Sequence, residues 1–168
     1  MRTARLNNGL QVWIRPISSA DAWRLQDGLK RLSRETIRRR FLSNKTRFSS
    51  TELRYLTEVD GVNHIALVAM SAATGRLAGV ARCVRDPEHP DTAEWAIVVG
   101  DDLQGQGLGT LLIQALVDDA RKVGISRFSA TIAGENKAVG RLLNHVTDRF
   151  ESDRYDHGVR EVVVGLAA

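Results

Sequence analysis

The six residues from Gln104 to Gly109, Gln-Gly-Gln-Gly-Leu-Gly, form the segment of this chain best suited to binding a charged ligand. They lie between an apolar, strand-like run, Ala93 to Val99, and a periodic helical segment that begins near Thr110. Because the glycines carry no side chain, the backbone can turn tightly and direct several N–H groups at one anion, which a helix N-terminus also favours. The loop therefore predicts a phosphate site, and we expect a ligand that bears a diphosphate.

Two common phosphate-binding loops do not fit this sequence. The nucleoside triphosphate loop ends in Gly-Lys-Ser/Thr, whereas Gly109 is followed by Thr110 and Leu111. The dinucleotide fingerprint needs a glycine three residues after Gly107, where the chain has Thr110. Nucleoside triphosphates and nicotinamide or flavin dinucleotides are therefore not the expected ligands.

The pattern Gln/Arg-x-x-Gly-x-Gly/Ala is matched by Gln104, Gly107 and Gly109, and it resembles the acyl-coenzyme A loop of the GNAT superfamily of N-acyltransferases. The preceding strand, with Glu94 near its start, resembles the fourth strand of that family. A following helix, a strand over 126–133 and a second helix extend the resemblance over most of the chain. The alternative is an ordinary strand-to-helix connection.

Size and composition predict one domain, residues 1–168, with its own hydrophobic core. No apolar stretch approaches the roughly 20 residues that a membrane span needs, and the N-terminus lacks the apolar run of a secretion signal. We expect a cytoplasmic protein that does not bind membranes. The one cysteine, Cys83, is expected to fill the core, and Trp95 is expected to pack there as well.

The net charge of +4 and the pI near 9.7 indicate a basic surface, with several cations between residues 30 and 40. Leu32, Ile37 and Phe41 recur among them at helical spacing, which favours a solvated helix face over a nucleic-acid site. Part of this charge could also attract phosphates of a ligand. The four histidines have no zinc-ligand spacing, so no metal is expected, and His145 is expected on a helix face.

Periodicity along the chain predicts a mixed α+β order. The first predicted strand covers residues 10–16 and is followed by two or three helices. A predicted hairpin over residues 64–85 then precedes the strand before the glycine loop. Two more helices are predicted, one from near Thr110 and one from Asn136 to about Val146. A hairpin that turns at Asp156 to Gly158 closes the chain. The resemblance implies a GNAT fold: six to seven mostly antiparallel strands, about four helices, and splayed strands four and five.

The resemblance also implies how acetyl-CoA binds. Free backbone groups of strand four would pair with the pantetheine arm, and the loop amides would hold the diphosphate. The implied co-substrate-binding residues are Ile97, Val98, Val99, Gln104, Gly105, Gln106, Gly107, Leu108, Gly109, Thr110 and Asn136. For Asn136 a simple helix N-cap is an equal alternative.

An amine acceptor needs help to react, because a lysine-like amine of pKa about 10.4 is mostly protonated at pH 7, at a cost of about 4.6 kcal/mol. A carboxylate whose pKa is raised by partial burial could remove that proton. Glu94 is the candidate base by its position in the family pattern, with a strand-edge surface charge as the alternative. Many relatives protonate the departing thiolate with a tyrosine seven residues after the asparagine, but Leu143 occupies that position here.

Residues 33–41, 52–60 and 64–69 look like the acetyltransferase domain of bacterial protein lysine acetyltransferases, so the expected partner is an amine, either protein lysine or a small molecule. A non-catalytic acyl-CoA sensor is the second hypothesis, which the missing tyrosine permits. A basic nucleic-acid-binding module is the third. The oligomeric state stays open, with a homodimer as one alternative.

Overall fold

One eight-stranded sheet organises the protein in a computed structural model that describes residues 1–134, 136–147 and 149–167. The strands are β1 Arg2–Arg5, β2 Gln11–Pro16, β3 His64–Ser71, β4 Leu77–Arg85, β5 Thr92–Val99, β6 Arg127–Ala133, β7 Phe150–Asp156 and β8 Val159–Gly165. Their order across the sheet is β1-β2-β3-β4-β5-β6-β8-β7. All neighbours are antiparallel except β5 and β6, which run parallel.

In the ranges that the structure describes, five α-helices accompany the sheet, and most of them begin at the capping residues that the sequence offers. They are α1 Ala22–Arg31, α2 Arg34–Phe41, α3 Ser50–Thr57, α4 Leu108–Lys122 and α5 Lys137–Leu143. Ser33 caps α2, and Ser49 and Glu52 form a reciprocal capping box at the start of α3. Short 3-10 turns precede α1 and follow β5.

Both faces of the sheet are covered. The larger core lies under α4, whose buried stripe includes Leu112 and Leu116. The smaller core lies on the opposite face, where Leu25 of α1 packs with Val68 and Val80. A strand in the middle of this sheet, such as β4, is therefore buried on both sides. A polar residue in the middle of β4 is consequently covered by helices rather than exposed to solvent.

The predicted α+β fold is confirmed, and the described residues form eight strands and five helices where six to seven strands and about four helices were expected. The additional strand β1 is four residues long and contains one apolar residue, Ala4, so it has no alternation to detect. Helix α5 ends at Leu143 rather than near Val146, because the chain turns there and the N–H of Val146 bonds to the carbonyl of Leu143.

The expected splay of two neighbouring strands is present. Pairing of β5 with β6 is limited to three registered positions, the last of which joins Glu94 to Ser129. Residues 95–99 of β5 still pair with β4 on their other side. One edge of β5 beyond Glu94 is therefore left facing a gap in the sheet.

Candidate active site

The glycine loop at the C-terminal end of β5 has the backbone conformation that its sequence predicts. Gly105 has a φ of +73° and Gly107 a φ of +88°, in the left-handed region that side chains with a Cβ adopt only at a cost. The turn between β1 and β2 supports the loop, since the N–H of Asn7 donates to the carbonyl of Gln106 at 3.0 Å. The Asn7–Gln106 hydrogen bond thus holds the glycine loop against the turn between β1 and β2.

Helix α4 starts at the end of this loop, with Gly107 as its N-cap. The first N–H groups of a helix have no intrahelical partner, so they and the helix dipole attract an anion. The next glycine, Gly109, lets α4 and α5 approach closely, since a Cβ at this position would lie 3.3 Å from Leu142. The amides at the start of α4 thus face a concave surface.

That surface is a groove of about 410 Å³ between β5, β6, the glycine loop and α5, which we call the loop groove. The predicted binding residues that line it are Ile97, Val98, Val99, Gln104, Gly105, Gly107, Gly109, Thr110 and Asn136. Gln106 and Leu108 do not line it: the first is tied to Asn7 through its carbonyl, and the second is fully buried in the core. Glu94 also lies outside the lining.

A polar network joins the loop to helix α2, which is distant in sequence. Asp101 accepts hydrogen bonds from the backbone N–H of Ser33 at 2.8 Å and from the hydroxyl of Thr36 at 2.6 Å. Loss of water around this carboxylate would raise its pKa, but these bonds outweigh that effect and hold the pKa of Asp101 below its usual range. The amide of Gln104 completes the network, since it donates to Thr36 at 3.3 Å and to the carbonyl of Val99 at 3.2 Å.

Because α2 is held in this position, two of its arginines line the loop groove. Arg39 and Arg40 are partly buried there, and Arg39 pairs with Glu35. The expectation of a solvated helix face is therefore wrong for these two residues, although it holds for the exposed Arg34. Helical spacing alone identifies the apolar side of α2 but does not show that the neighbouring arginines pack over the gap beside β5.

The donors in the loop groove suit a ligand rich in hydrogen-bond acceptors. Three side-chain donors in the described parts of the chain are buried without an acceptor, and two of them, Trp95 Nε1 and Arg39 Nε, belong to residues that line the groove, whereas the third, Arg24 Nε, does not. Such a donor is costly unless a ligand or water supplies an acceptor. Trp95 is 4% exposed and stacks on Phe128 at 6.3 Å between ring centroids, so its predicted core position is confirmed. Phosphate, carbonyl and amide oxygens would satisfy these donors together with the loop amides.

Glu94 occupies the last paired position of β5 before the gap opens, opposite Val84 on β4. Its side chain is exposed and, by strand alternation, lies on the same face as Ala96 and Val98. Arg40 is close enough for the Glu94 charge to act on it: burial lowers the pKa of Arg40, and Glu94 opposes that shift. Glu94 is therefore an exposed carboxylate at the start of the gap, with the Arg40 guanidinium near it.

Three further positions lie in or beside helix α5. Asn136 does cap the helix, because its side-chain oxygen accepts from the N–H of Val139 at 3.3 Å, and Asn136 also lines the loop groove. Leu143 is fully buried and has no group to donate a proton. His145 lies beyond the end of α5 and lines the groove, so its expected position on a helix face is wrong.

Comparison with known proteins decides the family. The Acetyltransferase (GNAT) family matches residues 34–147 of the chain. The chain belongs to the GNAT family of acetyltransferases. It is 34% identical over 142 residues to Acetyltransferase Pat of Mycolicibacterium smegmatis, covering 84% of this chain and 42% of that protein. It is 32% identical to Acetyltransferase PA5475 of Pseudomonas aeruginosa, covering 82% of this chain and 74% of that protein.

Among solved structures, the GNAT domain of S. lividans PAT superposes with a TM-score of 0.86 at 26% identity, over 98% of this chain and 96% of that one. The GNAT fold and family expected from the loop are confirmed. This chain spans less than half the length of the Mycolicibacterium relative.

This GNAT domain has a second cavity of about 330 Å³ on the sheet face covered by α1, α2 and α3. We call it the arginine cavity, because Arg31, Arg40, Arg76 and Arg82 line it, with Asp101 and Asp102 as its acidic members. Arg40, Ala96 and Val98 also line the loop groove. The two spaces therefore meet at β5, beside the gap.

Arg82 is the most buried of these arginines, and no motif or spacing in the sequence marks it as a site residue. It is 7% exposed, and its Nη1 donates to the carbonyl of Leu56 at 3.1 Å and lies 3.1 Å from Nε2 of His64. Burial, together with the charge of Arg40, lowers the pKa of Arg82 to about 10. Burial and the nearby Arg82 charge lower the pKa of His64 to about 4, so His64 is neutral and can accept.

The described residues contain no cluster of three or more potential metal ligands, and none of the helices in the described ranges is long and apolar enough to cross a membrane. Cys83 is fully buried, and burial raises the pKa of its thiol to about 12. Its expected role as core filler agrees with this position.

Proposed function

We propose that this domain is an acetyl-CoA-dependent N-acetyltransferase that acts on a primary amine. The observation that carries the proposal is the gap between β5 and β6, which begins directly after Glu94 and runs beside the glycine loop. A ligand arm can add to the free edge of β5 as a strand would. The arginine cavity meets the same stretch of β5 and leaves room for a second substrate.

In this proposal the loop amides and the start of α4 bind the diphosphate, and residues 97–99 pair with the pantetheine arm. Arg39 and the amides of the loop offset the negative charge, and Asn136 contacts the arm at the other wall of the groove. The thioester then lies near Ala96 and Ile97. A backbone N–H at this point stabilises the oxyanion that forms when the amine attacks.

Glu94 is the proposed general base, acting on the ammonium group directly or through a water molecule. The amine nitrogen forms a bond to the thioester carbon, the C–S bond breaks, and the acetyl group leaves with the amine. The thiolate takes its proton from solvent, because Leu143 occupies the position of the family's tyrosine acid. Bound substrates would cover Glu94 and supply the desolvation that raises a carboxylate pKa.

Two acceptor classes fit this proposal. Protein lysine is supported by the resemblance of residues 33–69 to protein lysine acetyltransferase domains. A small-molecule amine is supported by the arginine cavity, because this cavity is small and lies between the sheet and helices α1 to α3. A cytoplasmic location and a homodimer stay predictions.

The test is release of free thiol from acetyl-CoA across a panel of primary amines and lysine peptides. Glu94→Gln should lower kcat by about 100-fold or more and leave the affinity for acetyl-CoA within about twofold. Glu88→Gln, on the exposed β4–β5 connection, is the matched control and should keep wild-type turnover.

Equal turnover of wild type and Glu94→Gln would remove Glu94 from this role. Tight acetyl-CoA binding with no thiol release for any amine would instead favour the alternative function, a non-catalytic acyl-CoA sensor.

A further inference from the structure

The arginine cavity holds two guanidinium groups, those of Arg40 and Arg82, for which the described residues supply no ion-pair partner. No Asp or Glu in the described ranges lies within ion-pair distance of Arg40 or Arg82. The groups that contact Arg82 are neutral, a carbonyl of Leu56 and the imidazole of His64. Glu94 acts on Arg40 only at longer range. A buried cation without a counterion is costly, so this pair is suited to an anion that a ligand supplies.

The acidic residues of the cavity do not fill this role. Asp101 is engaged by Ser33 and Thr36 at the start of α2. Asp102 is exposed, in the turn that follows β5. The apolar wall of the cavity includes Leu29, Phe41 and Val80, so an anion there would be shielded from water.

The diphosphate of the co-substrate does not reach Arg82 either. Arg82 lies beside Ala96 in the pairing of β4 with β5, whereas the glycine loop follows the end of β5 at Val99. Three strand residues separate these positions by about 10 Å. Arg82 does not line the loop groove, so its partner must enter through the arginine cavity.

We propose that Arg82 and Arg40 bind a carboxylate or similar oxyanion of the acetyl acceptor, and that the acceptor is a small amine of the amino acid class. The proposal rests on the proposed function and specifies its substrate class. Glu94 and Ala96 lie on the same face of β5, and Arg82 is the cross-strand neighbour of Ala96. A short molecule can therefore place its amine beside the thioester and its carboxylate against the two arginines.

A protein lysine side chain does not fit this arrangement. It ends at its amine, so nothing beyond the reacting nitrogen can occupy the space next to Arg82. A protonated lysine that entered the cavity would also meet two unpaired positive charges.

The experiment compares aminoalkanoic acids of two to six carbons and free α-amino acids with their carboxamides, which have nearly the same size but no negative charge. Initial rates of thiol release give kcat/KM for each acid and its amide. Lysine peptides are measured alongside, and calorimetry gives the acetyl-CoA affinity separately. At least one acid should exceed its amide by about 10- to 100-fold in kcat/KM, which is the range for a hydrogen-bonded charge pair.

Three variants connect this preference to the cavity. Arg82→Gln and Arg40→Gln should each reduce the acid-to-amide ratio about tenfold or more, mainly through KM of the acid, while Arg82→Lys should retain part of it. Arg40 is on α2 and less buried, so Arg40→Gln keeps the test available if Arg82→Gln unfolds. Arg34→Gln, exposed on the same helix, is the charge-matched control and should leave the ratio unchanged.

Equal kcat/KM for acids and amides in the wild-type protein would overturn the inference and leave the proposed function standing. Turnover of lysine peptides without turnover of any acid would do the same. Retention of the full ratio in both Arg82→Gln and Arg40→Gln would also overturn it. Acetyl-CoA binding with no turnover of any amine would overturn both the inference and the proposed function.

Discussion

The proposal that the glycine loop binds a diphosphate can be tested by placing a carboxylate in the loop. At Gly105, φ is +73° and no atom lies within 4 Å of the position that a Cβ would take, so a longer side chain has open space. Gly105→Glu and Gly105→Gln share the backbone strain, about 1–2 kcal/mol for a residue with a Cβ in the left-handed region. The difference between them therefore reports charge alone.

Coulomb's law gives the expected size of that difference. One carboxylate about 6 Å from a doubly charged diphosphate costs about 1.4 kcal/mol at the dielectric constant of water and about 5.5 kcal/mol at an effective value of about 20. We therefore expect Gly105→Glu to bind acetyl-CoA at least about tenfold more weakly than Gly105→Gln. Added salt should shrink the difference, because the Debye length falls from about 30 Å at 0.01 M to about 3 Å at 1 M.

Isothermal titration calorimetry at low and high salt measures both Kd values. Gly124, with a φ of +82° and open space around its Cβ position, follows the far end of α4, roughly 20 Å away. Gly124→Glu and Gly124→Gln are the matched controls and should bind equally. Equal Kd values for the two Gly105 variants, or a difference that salt does not reduce, would refute the diphosphate assignment.

Three further predictions concern buried and half-buried residues outside the loop groove. Asp21 is fully buried and bonded to Arg15 at 2.7 Å, so Asp21→Asn should lower the free energy of unfolding by about 3 kcal/mol in urea titrations, and a loss below about 1 kcal/mol would contradict a structural role for this pair. His64 has a pKa of about 4 in the folded protein and about 6.5 in the unfolded chain, so the unfolded chain binds a proton at higher pH than the folded protein does. The free energy of unfolding should therefore fall as pH drops from 6.5 to 4, and it should fall less steeply in His64→Gln. Equal slopes in the two proteins would exclude His64 as the cause. Cys83 should resist a disulfide thiol reagent at pH 8 until urea unfolds the protein, and rapid labelling of the native protein would show that the thiol is accessible.

The loop and its flanking elements could be predicted because their signals are local. The apolar run, the glycine-rich segment and the periodic helical pattern predict β5 and α4 in the right order, although α4 begins at Leu108 rather than near Thr110. Residues 104–109 resemble an acyl-CoA loop when they are taken together with these flanking elements. The conformations of Gly105 and Gly107 then follow from the absence of a Cβ.

The position of Arg82 could not be predicted in the same way. Alternation in β4 correctly puts it on the face opposite Cys83, but alternation does not show whether that face is solvated. In the folded chain α1, α2 and α3 cover it, and Arg82 is 7% exposed. A strand in the middle of a sheet that is covered on both sides has no solvent face.

The inward position of Arg39 and Arg40 depends on contacts between residues distant in sequence. Helix α2 is attached to the loop by the bonds of Ser33 and Thr36 to Asp101, across more than 60 residues of chain. Nothing in the sequence of α2 itself specifies that attachment, because Ser33 is already explained as a helix cap. Long-range side-chain networks of this kind determine which face of an amphipathic helix meets the site.

The proposed function is tested most directly by a crystal structure of this chain soaked with acetyl-CoA. We expect a diphosphate bonded to backbone amides between residues 104 and 110, a pantetheine arm along residues 97–99 in the gap between β5 and β6, and a thioester near Ala96. A co-substrate bound elsewhere, with the loop groove empty, would show that the proposed site is wrong.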